Sequence, residues 1–136
     1  MFVVYPAIFY KDKESESFNV VFPDFDYGAT FGQDLKEAFK MAQDYICSWL
    51  YDDFIKGNKL VKASSIHNIK LENDGFSILE ESFVTLVSAD LLEYAKRTEN
   101  KTVRRNVSIP SYLNELVKEK NINVSQILKE ALLKEL

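Results

Sequence analysis

The 136-residue chain has room for one compact domain, or for a small domain with an appended module. Hydrophobic residues make up 46%, including ten Phe, seven Tyr and one Trp, which excludes general disorder; a single cysteine, Cys47, excludes an intrachain disulfide framework and a cysteine-built zinc site, and fits a reducing cytoplasm. The net charge of −4 is unevenly spread: from Lys96 onward nine Lys/Arg stand against five Glu, while residues 1–95 hold no arginine and carry a net −8, so two partners of opposite charge are expected.

No apolar run reaches the roughly 18 residues that a membrane span needs. Residues 1–10 are apolar but lack a basic leader and a small-residue cleavage site, so they read as a strand rather than a signal peptide. Phe2–Tyr10 is rich in aromatic and β-branched residues, with Pro6 pointing to an edge or a bulge. A polar tip, Lys11 to Ser17, leads into alternating Phe18, Val20 and Phe22 before Pro23 stops the run. A short third strand follows at Gly28–Gly32, completing an antiparallel meander. Asp34 and Glu37 then stand at capping-box spacing. Behind them Leu35, Ala38, Phe39, Ala42, Tyr45, Ile46, Trp49 and Leu50 form one helical stripe, and Gly57 is its stop. Such a stripe and a one-faced sheet bury each other, giving an α+β layer pair. Residues 58–75 read as polar and irregular, with room for a short helix. Phe83–Val87 reads as a last strand of the same sheet, and residues 91–100 as a linker. Three segments result: 1–90, 91–100 and 101–136.

The tail changes character at Lys101. Val103, Val107 and Ile109 alternate with Thr102, Arg104, Asn106 and Ser108 across a strand that Pro110 ends. Leu113, Leu116 and Val117 make a first helical stripe. Asn123 and Gln126 offer a cap for a second, carrying Ile127, Leu128, Ala131 and Leu132. One strand and two short helices bury too little to stand alone, so two copies are expected to pair their strands over four helices. Val107, Ile109 and the two helical stripes would then form the dimer core. Thr102, Arg104, Asn106 and Ser108 would face the bases of duplex DNA, with Lys101 and the helix start at Asn123, Val124 and Ser125 on phosphate.

This tail resembles the ribbon-helix-helix family of repressors in the order strand, proline, helix, capped helix. Arg105 departs from the pattern, falling on the inward side of the strand. The whole chain resembles the HicB family of antitoxins, on YPAIFY (5–10), FNVVFPDF (18–25), ATFG (29–32), DLKEAFKMAQDYI (34–46) and ADLLEYAKRTENKTVRRNVSIP (89–110). The resemblance implies a partial RNase-H-like front domain, an antiparallel sheet on a long helix, followed by a dimeric ribbon-helix-helix. It implies as partners a small, basic, HicA-like toxin that cleaves mRNA with a histidine, and the operator of the shared operon. Toxin contacts are expected at Asp24, Phe25 and Asp26. A homodimer is expected, with pairing of dimers into a tetramer left open; no cofactor, metal or enzymatic activity is expected.

Two other readings stand beside this one. A ribbon-helix-helix regulator whose front domain senses a small molecule would need a pocket with converging polar groups. A residual nuclease would need carboxylates converging on two metal ions. Asp24 and Asp26 are close in sequence, but the first strand carries no carboxylate between Phe2 and Tyr10. His67 and Asp52–Asp53 read as surface residues, and Cys47 as a filler beside the helical stripe.

Overall fold

The computed structural model describes every residue except Asn100, at the end of the expected linker; the part of that linker which falls on Asn100 lies outside the described residues. Two compact units divide the chain, Met1–Asn100 and Lys101–Leu136.

In the first unit, β1 (Phe2–Asp12), β2 (Phe18–Phe22), β3 (Gly28–Gly32) and β4 (Ser77–Asp90) form an antiparallel sheet in the order β3-β2-β1-β4. The expected three-strand meander is present, and the fourth strand adds to its β1 side. Strand β4 is much longer than the expected Phe83–Val87. Its extra residues mix Ile78, Leu79 and Ala89 with Ser, Glu and Asp, and ladder pairing with β1 draws them into the strand: Phe2 to Phe9 pair with Asp90 to Phe83, then Lys11 and Asp12 with Ile78 and Ser77 across a bulge. The Ser82 hydroxyl holds that bulge, accepting from the Lys11 N–H at 2.9 Å and donating to the Ile78 carbonyl at 2.7 Å. Pro6 lies where β1 pairs with β4 alone, because β2 pairs only with Ile8 to Lys11.

Helix α1 (Leu35–Lys56) begins where its sequence predicts. The Asp34 carboxylate accepts the Glu37 N–H at 2.8 Å, and the Glu37 carboxylate reaches back to the Gln33 N–H at 3.2 Å. It ends at Gly57, whose φ of 71° suits a residue without Cβ. Ala38, Ala42, Ile46, Cys47 and Leu50 are buried against the sheet face made by Tyr5, Ala7, Phe9, Val20, Phe22, Val87 and Ala89. Phe9 stacks between Phe39 and Phe83, with ring centroids at 4.5 and 5.1 Å. Leu35 and Trp49 depart from the expected stripe, being exposed over more than a third of their surface. Both sit at the edge of the helix–sheet contact.

Residues 91–98 differ from the linker reading. Leu91–Thr98 forms α2, capped by the Asp90 carboxylate, which accepts from Leu92 and Glu93 N–H groups. Leu91 is fully buried, Tyr94 packs edge-on to Tyr51 at 5.7 Å, and Arg97 pairs with Asp44 at 2.6 Å. The segment reads as linker because eight residues make barely two turns, and the partners that hold it, Tyr51 and Asp44, lie far away in sequence.

The second unit holds α3 (Ser111–Lys120) and α4 (Val124–Glu135). Pro110 stands just before α3, and Asn121 closes it in the left-handed conformation with φ of 51°. The Asn123 carboxamide caps α4, accepting the Gln126 N–H at 3.1 Å, while the Gln126 side chain turns instead to Glu130 at 2.9 Å. The strand expected over Thr102–Ile109 is not formed: residues 101–110 carry no helix or strand. A strand's N–H and C=O groups need a ladder partner, and the single chain offers that segment none.

Candidate functional site

In the tail unit, no residue of α3 or α4 is buried. Val107, Ile109, Leu113, Leu116, Ile127, Leu128, Ala131 and Leu132 are all exposed, and Val117 is half-buried. These are the residues expected to make a dimer core. Each helix therefore presents an uncovered apolar stripe, at about 25 cal/mol for every Å² that a partner would remove from water. Thr102, Arg104, Asn106 and Ser108 are exposed, as are Lys101, Val103 and Arg105. Asn123, Val124 and Ser125 are exposed at the α4 N-terminus, where backbone N–H groups lack carbonyl partners of their own turn.

In the first unit, the chain between β2 and β3 is shaped by one side chain. Pro23–Phe25 forms a 3₁₀ turn, and Phe25 is 0% exposed. Its ring packs on Tyr5 at 4.8 Å, Phe22 at 5.2 Å, Trp49 at 5.5 Å and Tyr45 at 6.4 Å. Phe25 thus departs from its expected role as a toxin contact; it is the anchor that holds the loop in the core. With Phe25 turned inward, the backbone must reverse to enter β3. It does so through Asp26 and Tyr27, both in the left-handed region with φ of 54° and 57°. Each such non-glycine residue costs about 1 kcal/mol or more. Gly28 follows where a Cβ would collide with the Tyr45 hydroxyl.

The three residues expected to meet the toxin therefore have three different environments. Asp24 is half-buried, and its carboxylate accepts from both the Ser64 hydroxyl and the Ser64 N–H, the latter at 3.0 Å. Asp26 is exposed. Tyr27, which the sequence reading passed over, is 72% exposed. The signal that would have found it is an aromatic between an Asp and a Gly, where the turn itself calls for neither bulk nor apolar surface.

The connection from residue 58 to 76 is tied to the rest of the unit by four side chains: Asp24 at Ser64, the Tyr5 hydroxyl donating to the Val61 carbonyl, the Tyr10 hydroxyl accepting the Glu72 N–H at 3.2 Å, and the Lys13 ammonium donating to the Gly75 carbonyl at 3.0 Å. Burial raises the Tyr5 phenol above its ordinary pKa, and the Asp24 charge adds to that. The connection holds a single 3₁₀ turn, Ile66–Asn68, and His67 is exposed on it. Between the connection and the sheet lies a groove of about 750 Å³. Among the described residues no cluster of three or more His, Cys, Asp or Glu is arranged to hold a metal ion. No helix among them is long and apolar enough to cross a membrane.

Cys47 is 3% exposed, and its thiol lies 3.8 Å from the Asp90 carbonyl. Burial, with the Asp44 charge beside it, pushes its pKa up to about 11. That is the signature of a packed thiol rather than a reactive one.

Comparison with known proteins agrees with the resemblance drawn from the residues. A family model described as HicB_like antitoxin of bacterial toxin-antitoxin system matches residues 5–132. Among solved structures, a chain in a toxin-antitoxin complex from Streptococcus pneumoniae is 30% identical over 100% of both chains, with a TM-score of 0.64. The antitoxin HicB of Burkholderia pseudomallei shares the fold at 22% identity, covering 98% of both chains, with a TM-score of 0.51. No curated protein matches the chain.

Proposed function

Since this chain belongs to the HicB-like antitoxin family of bacterial toxin-antitoxin systems, we propose that its acidic front unit neutralises a small, basic, RNA-cleaving toxin of the HicA kind and that its tail represses their shared operon. The observation that carries the DNA half is the open apolar face of the tail. Some 36 residues with no buried side chain on either helix cannot hold a tertiary structure alone. Two copies remedy this. Residues 102–109 of each pair antiparallel about a two-fold axis, and Val107, Ile109 and the leucines of α3 and α4 close beneath them. The same pairing turns Thr102, Arg104, Asn106 and Ser108 outward as a doubled polar ribbon of major-groove width. There arginine reads guanine and asparagine reads adenine, each through two hydrogen bonds. Lys101 and the capped start of α4 at Asn123, Val124 and Ser125 hold phosphate and set the register.

The toxin half rests on charge and on the S. pneumoniae relative, which sits in a toxin-antitoxin complex. A net −8 without arginine attracts a basic protein and repels nucleic acid, so each half of the chain keeps its own partner. The front domain then acts by covering the toxin, with no reaction, metal or cofactor of its own. Its place is the cytoplasm, where operator and mRNA both lie. The front sheet and α1 fit a partial RNase-H-like fold used as a binding scaffold.

The test is operator binding by the full-length Arg104→Ala variant, measured by fluorescence anisotropy beside its mass in solution. Loss of a bidentate base contact costs about 1–3 kcal/mol, about 5- to 150-fold in affinity, with preference relaxed at one base pair. The variant should stay dimeric and still bind toxin. Unchanged operator affinity would refute this ribbon register, and a parent protein that is monomeric at micromolar concentration and indifferent to duplexes would refute the DNA-binding reading itself.

A further inference from the structure

The groove beside Tyr27 is more specific than a general acidic surface. Its floor is Ile8, Val21 and Ala29, which are register partners across β1, β2 and β3 on the sheet face away from α1. Its far wall is the connection around Glu72, pinned by the Tyr10 hydroxyl. Tyr27 stands at the rim in a left-handed conformation that glycine would hold with less strain. Nothing in the fold uses its exposed ring. Phe31, two residues beyond Ala29 on the same face of β3, is also exposed, so the apolar surface continues past the groove.

We propose that this groove is the docking slot for a lysine- or arginine-bearing segment of the protein toxin. The inference rests on the toxin-binding reading above and says where on this chain that partner sits. Charge decides the occupant. Residues 1–95 carry net −8, Asp26 is exposed beside Tyr27, and Glu72 faces the groove from the opposite wall, with Lys70 on that wall as a partial offset. The aliphatic stem of a basic side chain covers the Ile8–Val21–Ala29 floor. Its charged head then reaches the face of the Tyr27 ring, an attraction that strengthens as the bound segment excludes water. An aromatic ring with a carboxylate beside it on the rim of an apolar slot matches the anchors that dominate protein interfaces. The front of a second copy is disfavoured as occupant, because its residues 1–95 would bring another net −8 to the same slot, and the basic tail of that copy is engaged in the pairing and DNA contacts proposed above.

The test titrates full-length antitoxin with an inactivated form of the toxin encoded beside it, by calorimetry. Tyr27→Gly relieves the strained backbone, so its melting temperature should match or exceed the parent's while toxin affinity falls about tenfold or more. Ala29→Arg, on an exposed edge position of the floor, should weaken toxin binding similarly by filling the slot with like charge. Operator affinity should stay at the parent value in both. Parent-like toxin affinity in either folded variant overturns the proposal while leaving the toxin-binding reading intact; a parent that does not bind the toxin overturns that reading instead. A change in the mass of toxin-free Tyr27→Gly would assign the slot to a second copy, and would also overturn the proposal.

Discussion

Replacing Phe25 with alanine tests whether one inward ring shapes the candidate toxin-binding edge. Phe25 is fully buried, and four aromatic rings lie with centroids 4.8 to 6.4 Å from its own. Truncating a buried phenylalanine costs about 3–5 kcal/mol through lost transfer energy and the cavity left behind. Aromatic pairs add about 0.5–1.5 kcal/mol each beyond area, which keeps this site at or above the middle of that range, about 4 kcal/mol. For a unit of this size 1 kcal/mol moves Tm by about 4–8 °C, so the expected drop is about 15–30 °C. Trp49 is the single tryptophan and stacks on Phe25 at 5.5 Å, so its fluorescence follows the first unit without interference from the tail. Phe25→Leu keeps part of the volume and should lose half as much or less. A Tm drop under about 5 °C in Phe25→Ala, which is about 1 kcal/mol, would refute Phe25 as the anchor and with it the account of why Asp26 and Tyr27 are strained.

Two further substitutions or reagents probe the same unit. Gly32→Ala would place a Cβ 2.2 Å from the Ala38 nitrogen and 2.4 Å from its Cα, so α1 itself must move. A loss of about 1–3 kcal/mol is expected by thermal denaturation, and a parent-like Tm would show that the strand–helix contact is looser than described. Cys47, with its pKa raised from 9.0 to about 11, holds about a hundredfold less thiolate at pH 8 than an unperturbed thiol. Native protein should therefore react with a disulfide reagent at least that much more slowly than protein in denaturant, and equal rates would contradict its burial.

Local chemistry made several elements legible in advance. The α1 cap at Asp34 and Glu37, its stop at Gly57, the span of β3 and the Asn123 cap of α4 all depend on residues within four positions of each other, so reading along the chain recovers them. The environments at the candidate toxin edge were not legible. In PDFDY, Phe25 and Tyr27 are two similar aromatics two residues apart, yet one is fully buried and the other exposed. Only the distant rings of Tyr5, Tyr45 and Trp49 decide between them.

The sequence by itself determined the α+β character of the front, the long amphipathic helix, the two tail helices and the split of charge between the halves. These follow from short-range periodicity, caps and composition. Tertiary structure alone decided that the mixed segment Ser77–Ser82 is strand, that Leu91–Thr98 is helix and that Phe25 is core, because each depends on a partner far away in sequence. The segment 102–109 alternates like a strand yet stays unpaired in a single chain. Alternation specifies which side chains share a face, while the hydrogen bonds that make a strand must come from a second backbone.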